Sequence, residues 1–277
     1  MEELTTNPFF QSGILPFTTA LIIGLMLRPL GWYWSGLGLA VAYLVAIYFI
    51  TGYQLTPLTS TRKIFLLAGT AVVLGLIIDA LPKKWQRYLP CLIAITAAAA
   101  SVWIIWPLLK RLDGQEYWLM IAASVGFAAW SITLTESLRD QSYRAVSTAF
   151  CFGLGLSISA MLGASALLGQ LAGVMAAAAG AYLLLLLFKV PISVGSNFSF
   201  TAATFAALIG ISAVTYADLA WYALIPLALI PLAARLPVKE SWHPSLKTIV
   251  TTLYPLPLAL ISIYITWQMD TGGDSLY

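Results

Sequence analysis

Between Arg144 and Lys189 the chain runs for 44 residues without a charged side chain, from Ala145 to Phe188. Backbone amides cannot remain unpaired in hydrocarbon, so a run of this kind must be helical and must lie in a bilayer. One crossing takes about 20 residues. The stretch therefore predicts two membrane spans joined by a short turn.

The rest of the chain follows the same composition. Hydrophobic residues make up 60% of the sequence and charged residues only 9%, whereas soluble domains carry about 25% charge. No linker or long loop divides the chain, so we expect an all-α polytopic integral membrane bundle, a single transmembrane domain over residues 1–277. Ten spans with short loops are predicted at 9–27, 32–52, 63–82, 88–109, 116–135, 145–165, 167–188, 198–215, 218–235 and 247–268.

The distribution of Lys and Arg predicts the orientation. Cytoplasmic loops are enriched in these residues, and an N-terminus outside places ten of the 14 in cytoplasmic loops. A single crossing by residues 145–188 would leave only six there, so two crossings fit better. We expect both termini outside, in a bacterial inner membrane. The acidic start, MEELTTNPFF, predicts no cleaved leader.

Small residues recur at every fourth position in the second half of the uncharged stretch. Ser165, Gly169, Gly173, Ala177 and Ala181 share one helical face, the pattern that permits close helix approach in membranes. We interpret the stretch as the packing centre of the bundle. The lipid bilayer is the expected partner, and the same face could instead dock a partner protein.

Several function classes are disfavoured by composition. His243 is the single histidine, and Cys91 and Cys151 are far apart in sequence, too few ligands for structural zinc or bis-histidine haem sites. No catalytic triad, phosphate-binding loop or carboxylate pair is apparent. We therefore expect no metal or other cofactor, and the sequence argues against an enzyme. No basic run resembles a nucleic-acid-binding patch.

Asp79, in GLIIDALPKKW, is the first candidate site residue. An ionisable group in a bilayer costs about 2.5–3.5 kcal/mol at mid-span and marks a functional position by default. Asp79 would be either a cation or proton site at the inner mouth of a pathway or an interfacial carboxylate paired with Lys83 or Lys84.

The segment KVPISVGSNFSFTAATF, which begins at Lys189, is the second candidate. Pro191 and Gly195 stop a helix, so the segment is either a broken helix at membrane depth, of the type that binds ions in transporters, or a short cytoplasmic loop that caps the eighth span. Its candidate ligands are Lys189, Ser196, Asn197, Ser199 and Thr201.

Three further features give weaker indications of function. Gln170, in the central hairpin, would bind a substrate or hydrogen-bond a neighbouring helix. The segment TESLRDQSYR, with Glu136, Arg139, Asp140 and Arg144, is interpreted as a solvated loop with mutual ion pairs. Four prolines in the last two spans predict kinks or local unwinding: Pro226, Pro231, Pro255 and Pro257.

Ten short-looped spans and the segment ALLGQLAGVMAAAAGAYLLLLL resemble the drug/metabolite transporter superfamily. The outside termini depart from the usual inside placement in that superfamily, and no residue role is carried over. The first functional hypothesis is a small permease for a small or amphipathic solute, with a pathway between the central hairpin and the last spans. The second is a non-catalytic subunit that anchors or scaffolds a larger membrane complex.

Overall fold

The computed structural model describes residues 7–52 and 56–273, and every regular element in these ranges is helical. A π-helical turn, Phe10–Ile14, leads into the first α-helix. The α-helices are α1 (Leu15–Leu27), α2 (Trp32–Ser35), α3 (Leu37–Thr51), α4 (Ser60–Ala80), α5 (Leu89–Leu109), α6 (Gly114–Glu136), α7 (Ser142–Gly163), α8 (Ala166–Leu187), α9 (Gly195–Tyr216), α10 (Leu224–Ala233), α11 (Pro244–Leu253) and α12 (Leu256–Gly273).

Eight helices of the described ranges are long and apolar enough to cross a membrane. Two shorter apolar helices, Leu37–Thr51 and Trp221–Ala233, lie where the second and ninth spans were predicted. The protein is therefore an all-α integral membrane bundle. The placement of both termini outside stays a prediction, and the terminal residues 1–6 and 274–277 are not among the described ones.

The uncharged stretch forms two helices of span length, as predicted. α7 and α8 are joined by only two residues, so they run antiparallel. The Ser157 hydroxyl donates to the Gly169 carbonyl at 2.8 Å, and a Cβ atom added at Gly153 would lie 2.8 Å from the Ala176 nitrogen. This backbone proximity is what small residues permit between membrane helices.

The small-residue face of α8 is partly covered within the chain. A Cβ atom at Gly169 would lie 2.9 Å from the Ser157 carbonyl oxygen, and one at Gly173 would lie 3.1 Å from the Ser157 hydroxyl. Ser165 and Ala177 on the same face are half-buried. A partner protein on this face stays a prediction.

The centre of the bundle is α9, not the uncharged hairpin. In its most apolar stretch 89% of the residues are buried, against 72% in α7 and 61% in α8. Its sequence, GSNFSFTAATFAALIGISAVTY, has small or hydroxyl side chains on every face, so neighbours can surround it closely. The interpretation of residues 145–188 as the packing centre was wrong in this respect.

The prolines affect the last two spans differently. The tenth span is interrupted at Tyr254 and Pro255, where α11 ends and α12 begins, as expected from a residue without an amide donor. α10 instead continues through Pro226 and Pro231 without interruption. Local unwinding was therefore predicted correctly for the tenth span only.

Gly75 provides a first test of the packing around α9. A Cβ atom at Gly75 would lie 2.7 Å from the Asn197 Cα and 3.0 Å from the Ser196 carbonyl oxygen. Backbone atoms cannot move aside as a flexible side chain can. We expect Gly75→Ala to lower the free energy of unfolding by about 2 kcal/mol, within the usual cost of overpacking. An SDS titration in mixed micelles, followed by tryptophan fluorescence, measures it.

Gly69 is the matched control because it lies on the same helix and has no atom within 4 Å of an added Cβ. We expect Gly69→Ala to leave the stability unchanged or slightly raised, since Ala favours helix over Gly. Equal losses in the two variants would contradict the close approach of α4 and α9.

Candidate functional site

The N-terminus of α9 is capped by a carboxylate from another helix. Asp79, in the last turn of α4, accepts the Ser196 N–H at 2.7 Å through Oδ1 and the Asn197 N–H at 3.0 Å through Oδ2. The first N–H groups of a helix have no partner within it and carry partial positive charge. Asp79, only 5% exposed, therefore joins α4 to α9. Neither sequence-based interpretation of Asp79 included this role.

Gly195 makes this capping contact possible. Its φ of +63° lies in the left-handed region, and a Cβ atom there would lie 2.7 Å from Asp79 Oδ2. Any other side chain would strain the backbone and also displace the carboxylate. The residue type at position 195 is thus set by both the turn and the cap.

Glu136 is the second carboxylate at this helix terminus. It is the last residue of α6 and is 4% exposed. The Ser196 hydroxyl donates to its Oε1, and the Ser199 hydroxyl donates to its Oε2 at 2.5 Å. Arg139 Nη1 lies 3.3 Å from Glu136 Oε1 and 3.3 Å from the Ser196 hydroxyl. Two hydroxyls and one guanidinium thus surround a buried carboxylate.

The segment that contains Glu136 is not the solvated loop that we expected. The predicted ion pairs exist, since Arg139 contacts both Glu136 and Asp140, the latter at 3.8 Å. Of its four charged residues only Asp140, with its side chain 77% exposed, is in solvent. Arg144 donates to the Ala234 carbonyl at 2.9 Å. Glu136 and Arg139 are therefore members of the candidate site that sequence reasoning missed.

Asn197 and Thr201 are two further buried polar residues near the start of α9. Asn197 is fully buried, and a Cβ atom at Gly36 would lie 1.9 Å from its Oδ1, so α9 begins in close contact with the turn between α2 and α3. Thr201 is also fully buried, and its hydroxyl has no hydrogen-bond partner within the part of the chain that the structure describes.

Two predicted site residues lie away from this cluster. Lys189, beyond the end of α8, is exposed with φ at +60°. Gln170 lies in the first turn of α8 and is half-buried; α8 runs from there towards the end of the bundle where α9 begins. Residues 190–194 are non-helical, and the Ser35 hydroxyl donates to the Ser193 carbonyl. The segment after Lys189 is thus a connection packed against α2, and α9 starts at Gly195.

A small pocket leads to the cluster. It has a volume of about 200 Å³ and lies between the first turns of α5 and the last turn of α6. Its polar lining consists of Thr133, Glu136, Ser137, Arg139 and Asp140. The Glu136–Arg139 pair is therefore reached through a pocket that opens at one end of the bundle.

No protein-family model matches the chain, and no curated protein matches its sequence. Within residues 7–52 and 56–273, no three His, Cys, Asp or Glu side chains come together as metal ligands. The cluster offers a carboxylate, a guanidinium and hydroxyls at a pocket floor, groups that bind polar solutes by charge and hydrogen bonding.

Proposed function

We propose that the protein is a membrane permease for a small solute and that Glu136 and Arg139 form the polar entrance of its pathway. The observation that carries the proposal is a series of buried hydroxyls without hydrogen-bond partners, seen among the described residues, which continues from this entrance into the bundle. Ser131, Thr135 and Thr201 belong to it. Buried polar groups in native proteins nearly always have a protein or water partner.

The positions of these hydroxyls support a pathway. Ser131 and Thr135 precede Glu136 in α6, and Thr201 follows Ser199 in α9, so all three lie deeper in the bundle than the carboxylate. They are each no more than 1% exposed. These three hydroxyls, which lie beyond the lining of the pocket, provide hydrogen-bonding sites for water or a polar solute that passes Glu136.

The pocket dimensions favour a small solute over an amphipathic one. Its volume of about 200 Å³ is below the 300–1,000 Å³ that is common for pockets of drug-sized ligands. It lies between α5 and α6, whereas the sequence had suggested a pathway between the central hairpin and the last spans. We therefore propose that the pathway begins between α5 and α6.

We also propose that this end of the bundle faces the cytoplasm of a bacterial inner membrane. The support is the excess of Lys and Arg in the loops that follow α4, α6, α8 and α10. Asp79, Glu136 and Ser196 come from helices adjoining three of these loops, and their hydrogen bonds place the three helix ends together.

A non-catalytic subunit is the second candidate function. The observation that favours it is an apolar groove of about 470 Å³ between α6, α9 and α10. Trp130 and Trp221, 46% and 66% exposed, border this groove. A partner helix could insert there.

Thiol labelling distinguishes the two candidates without knowledge of the solute. Thr133→Cys is placed in a chain that carries Cys91→Ser and Cys151→Ala, and a membrane-impermeant methanethiosulfonate is applied to right-side-out and inside-out vesicles. A permease that alternates its access exposes the pocket to each side in turn, so Thr133→Cys is expected to react from both sides.

Gln141→Cys is the matched control, since Gln141 is exposed at the same end of the bundle and does not line the pocket. It is expected to react from the cytoplasmic side alone. If Thr133→Cys reacts from that side alone too, the pocket is static and the permease proposal is wrong. Co-purification with a stoichiometric partner would then favour the subunit.

A further inference from the structure

Lys63 is a buried cation far from the Glu136 cluster. It lies in the first turn of α4, whose last turn carries Asp79, so it is near the opposite end of the bundle. The residue is 7% exposed. Its Nζ donates to the Trp103 carbonyl at 2.8 Å and lies 5.5 Å from the centre of the Trp103 ring.

No described residue of the chain neutralises the charge of Lys63. No carboxylate in residues 7–52 and 56–273 lies within 4.0 Å of its Nζ. An ammonium group has three N–H donors, of which the Trp103 carbonyl accepts one. A buried cation without a counter-ion is unfavourable in a membrane protein, so an external anion would stabilise it.

A groove begins at Trp103 and runs parallel to the axes of α4 and α5, towards the middle of the bilayer. It has a volume of about 480 Å³, lies between α4 and α5, and has Phe200 and Thr204 of α9 at its floor. Leu74 lines its far end. Leu74 follows Lys63 by eleven positions, about 16 Å along a helix. This is close to half of the roughly 30 Å hydrocarbon core, the depth of one leaflet.

The groove is apolar and accessible from the surrounding lipid. Thr70 of α4 and Trp103 of α5, which line it, are both exposed on the outer face of the bundle. A molecule in this groove would therefore enter sideways from the bilayer. Its apolar part would lie against the helices, with its head group at the level of Lys63.

We infer that the groove between α4 and α5 binds one anionic phospholipid, with an acyl chain along α4 and the phosphate at Lys63. Charge complementarity selects this occupant, because a phosphate oxygen accepts from the ammonium N–H groups and neutralises the cation. The site does not depend on the permease proposal, since it shares no residue with the Glu136 pocket.

Native mass spectrometry tests the site. The full chain is purified in mild detergent, and dioleoyl-phosphatidylglycerol or dioleoyl-phosphatidylcholine is titrated into the micelles. The wild type is expected to bind one phosphatidylglycerol with preference over phosphatidylcholine. Lys63→Gln is expected to weaken phosphatidylglycerol binding about tenfold, the factor for the loss of one charge-assisted hydrogen bond.

Lys110→Gln is the matched control. Lys110 follows α5 at the same end of the bundle, is exposed, and lies 5.9 Å from the Trp106 ring centre. It should leave binding unchanged. Lys63→Arg retains the charge and should bind within about twofold of wild type, and it remains informative if Lys63→Gln does not fold.

Thr70→Trp tests the acyl-chain part separately, because it fills the groove from an exposed position. It should also weaken binding of phosphatidylglycerol about tenfold. Equal binding by wild type, Lys63→Gln and Lys110→Gln would overturn the phosphate site. Equal affinity for the two phospholipids would overturn the charge selectivity, and unchanged binding in Thr70→Trp would overturn the acyl-chain position.

Discussion

Asp79→Ala is expected to lower the free energy of unfolding by about 3 kcal/mol, because it leaves two buried N–H groups without an acceptor. Each such donor costs about 1–3 kcal/mol when its partner is removed. The two donors, on Ser196 and Asn197, belong to the first turn of the most buried helix, so water cannot replace the carboxylate there. Asp79→Asn keeps one acceptor oxygen and should lose less. SDS titration followed by tryptophan fluorescence measures both.

Asp113 is the matched control for this cap. It precedes α6 at the N-cap position, makes no side-chain cap hydrogen bond and is exposed. Asp113→Ala should change the stability by no more than about 0.5 kcal/mol, the usual range for surface substitutions. A similar loss in Asp113→Ala and Asp79→Ala would show that the bonds to α9 do not stabilise the bundle.

The fold was largely predictable because the membrane constrains both helix length and composition. Each predicted span corresponds to an apolar helical segment, and the break at Tyr254 and Pro255 follows from proline geometry. The centre of the bundle was not predictable in the same way. Hydropathy measures compatibility with lipid, whereas α9 is central because its Ser, Thr and Asn side chains are kept away from lipid.

The candidate site was predicted in part. Asp79, Ser196, Asn197 and Ser199 were selected from the sequence as embedded polar residues, and the structure brings all four together. Their mutual contact could not be deduced, since it depends on the pairing of α4 with α9, which are separated by more than 100 residues.

Glu136 was missed because charges of both signs follow it closely, a composition typical of surface loops. A signal was nevertheless present in the sequence. Ser131 and Thr135 are four residues apart, so they share one helical face, and Glu136 directly follows Thr135 at the end of this apolar span. Polar residues with that periodicity indicate a face turned towards the protein interior instead of lipid.

Glu136→Ala is expected to lower the free energy of unfolding by about 3–5 kcal/mol, the cost of removing one member of a buried ion pair. Arg139, with its side chain 14% exposed, would be left without its nearest counter-charge, and Ser196 and Ser199 would each lose an acceptor. Asp140 lies 3.8 Å from the same guanidinium but is 77% exposed. Asp140→Ala should therefore cost no more than about 1 kcal/mol. Equal losses of unfolding free energy in Glu136→Ala and Asp140→Ala would mean that the burial of Glu136 does not determine its contribution to stability.

The double variant Glu136→Leu with Arg139→Leu separates stability from function. Replacing a buried ion pair by apolar residues is often neutral or stabilising, so this variant should be more stable than Glu136→Ala. When it is combined with Thr133→Cys, the cysteine should nevertheless react with the thiol reagent from the side opposite the cytoplasm at least about tenfold more slowly than in Thr133→Cys alone. This is a change of roughly 1.4 kcal/mol. The reason is that the proposed entrance, once apolar, no longer provides charged or hydrogen-bonding groups to hydrate the proposed pathway. A folded double variant that is labelled from both sides at wild-type rates would show that the pair is structural, and the polar entrance would then have to lie elsewhere.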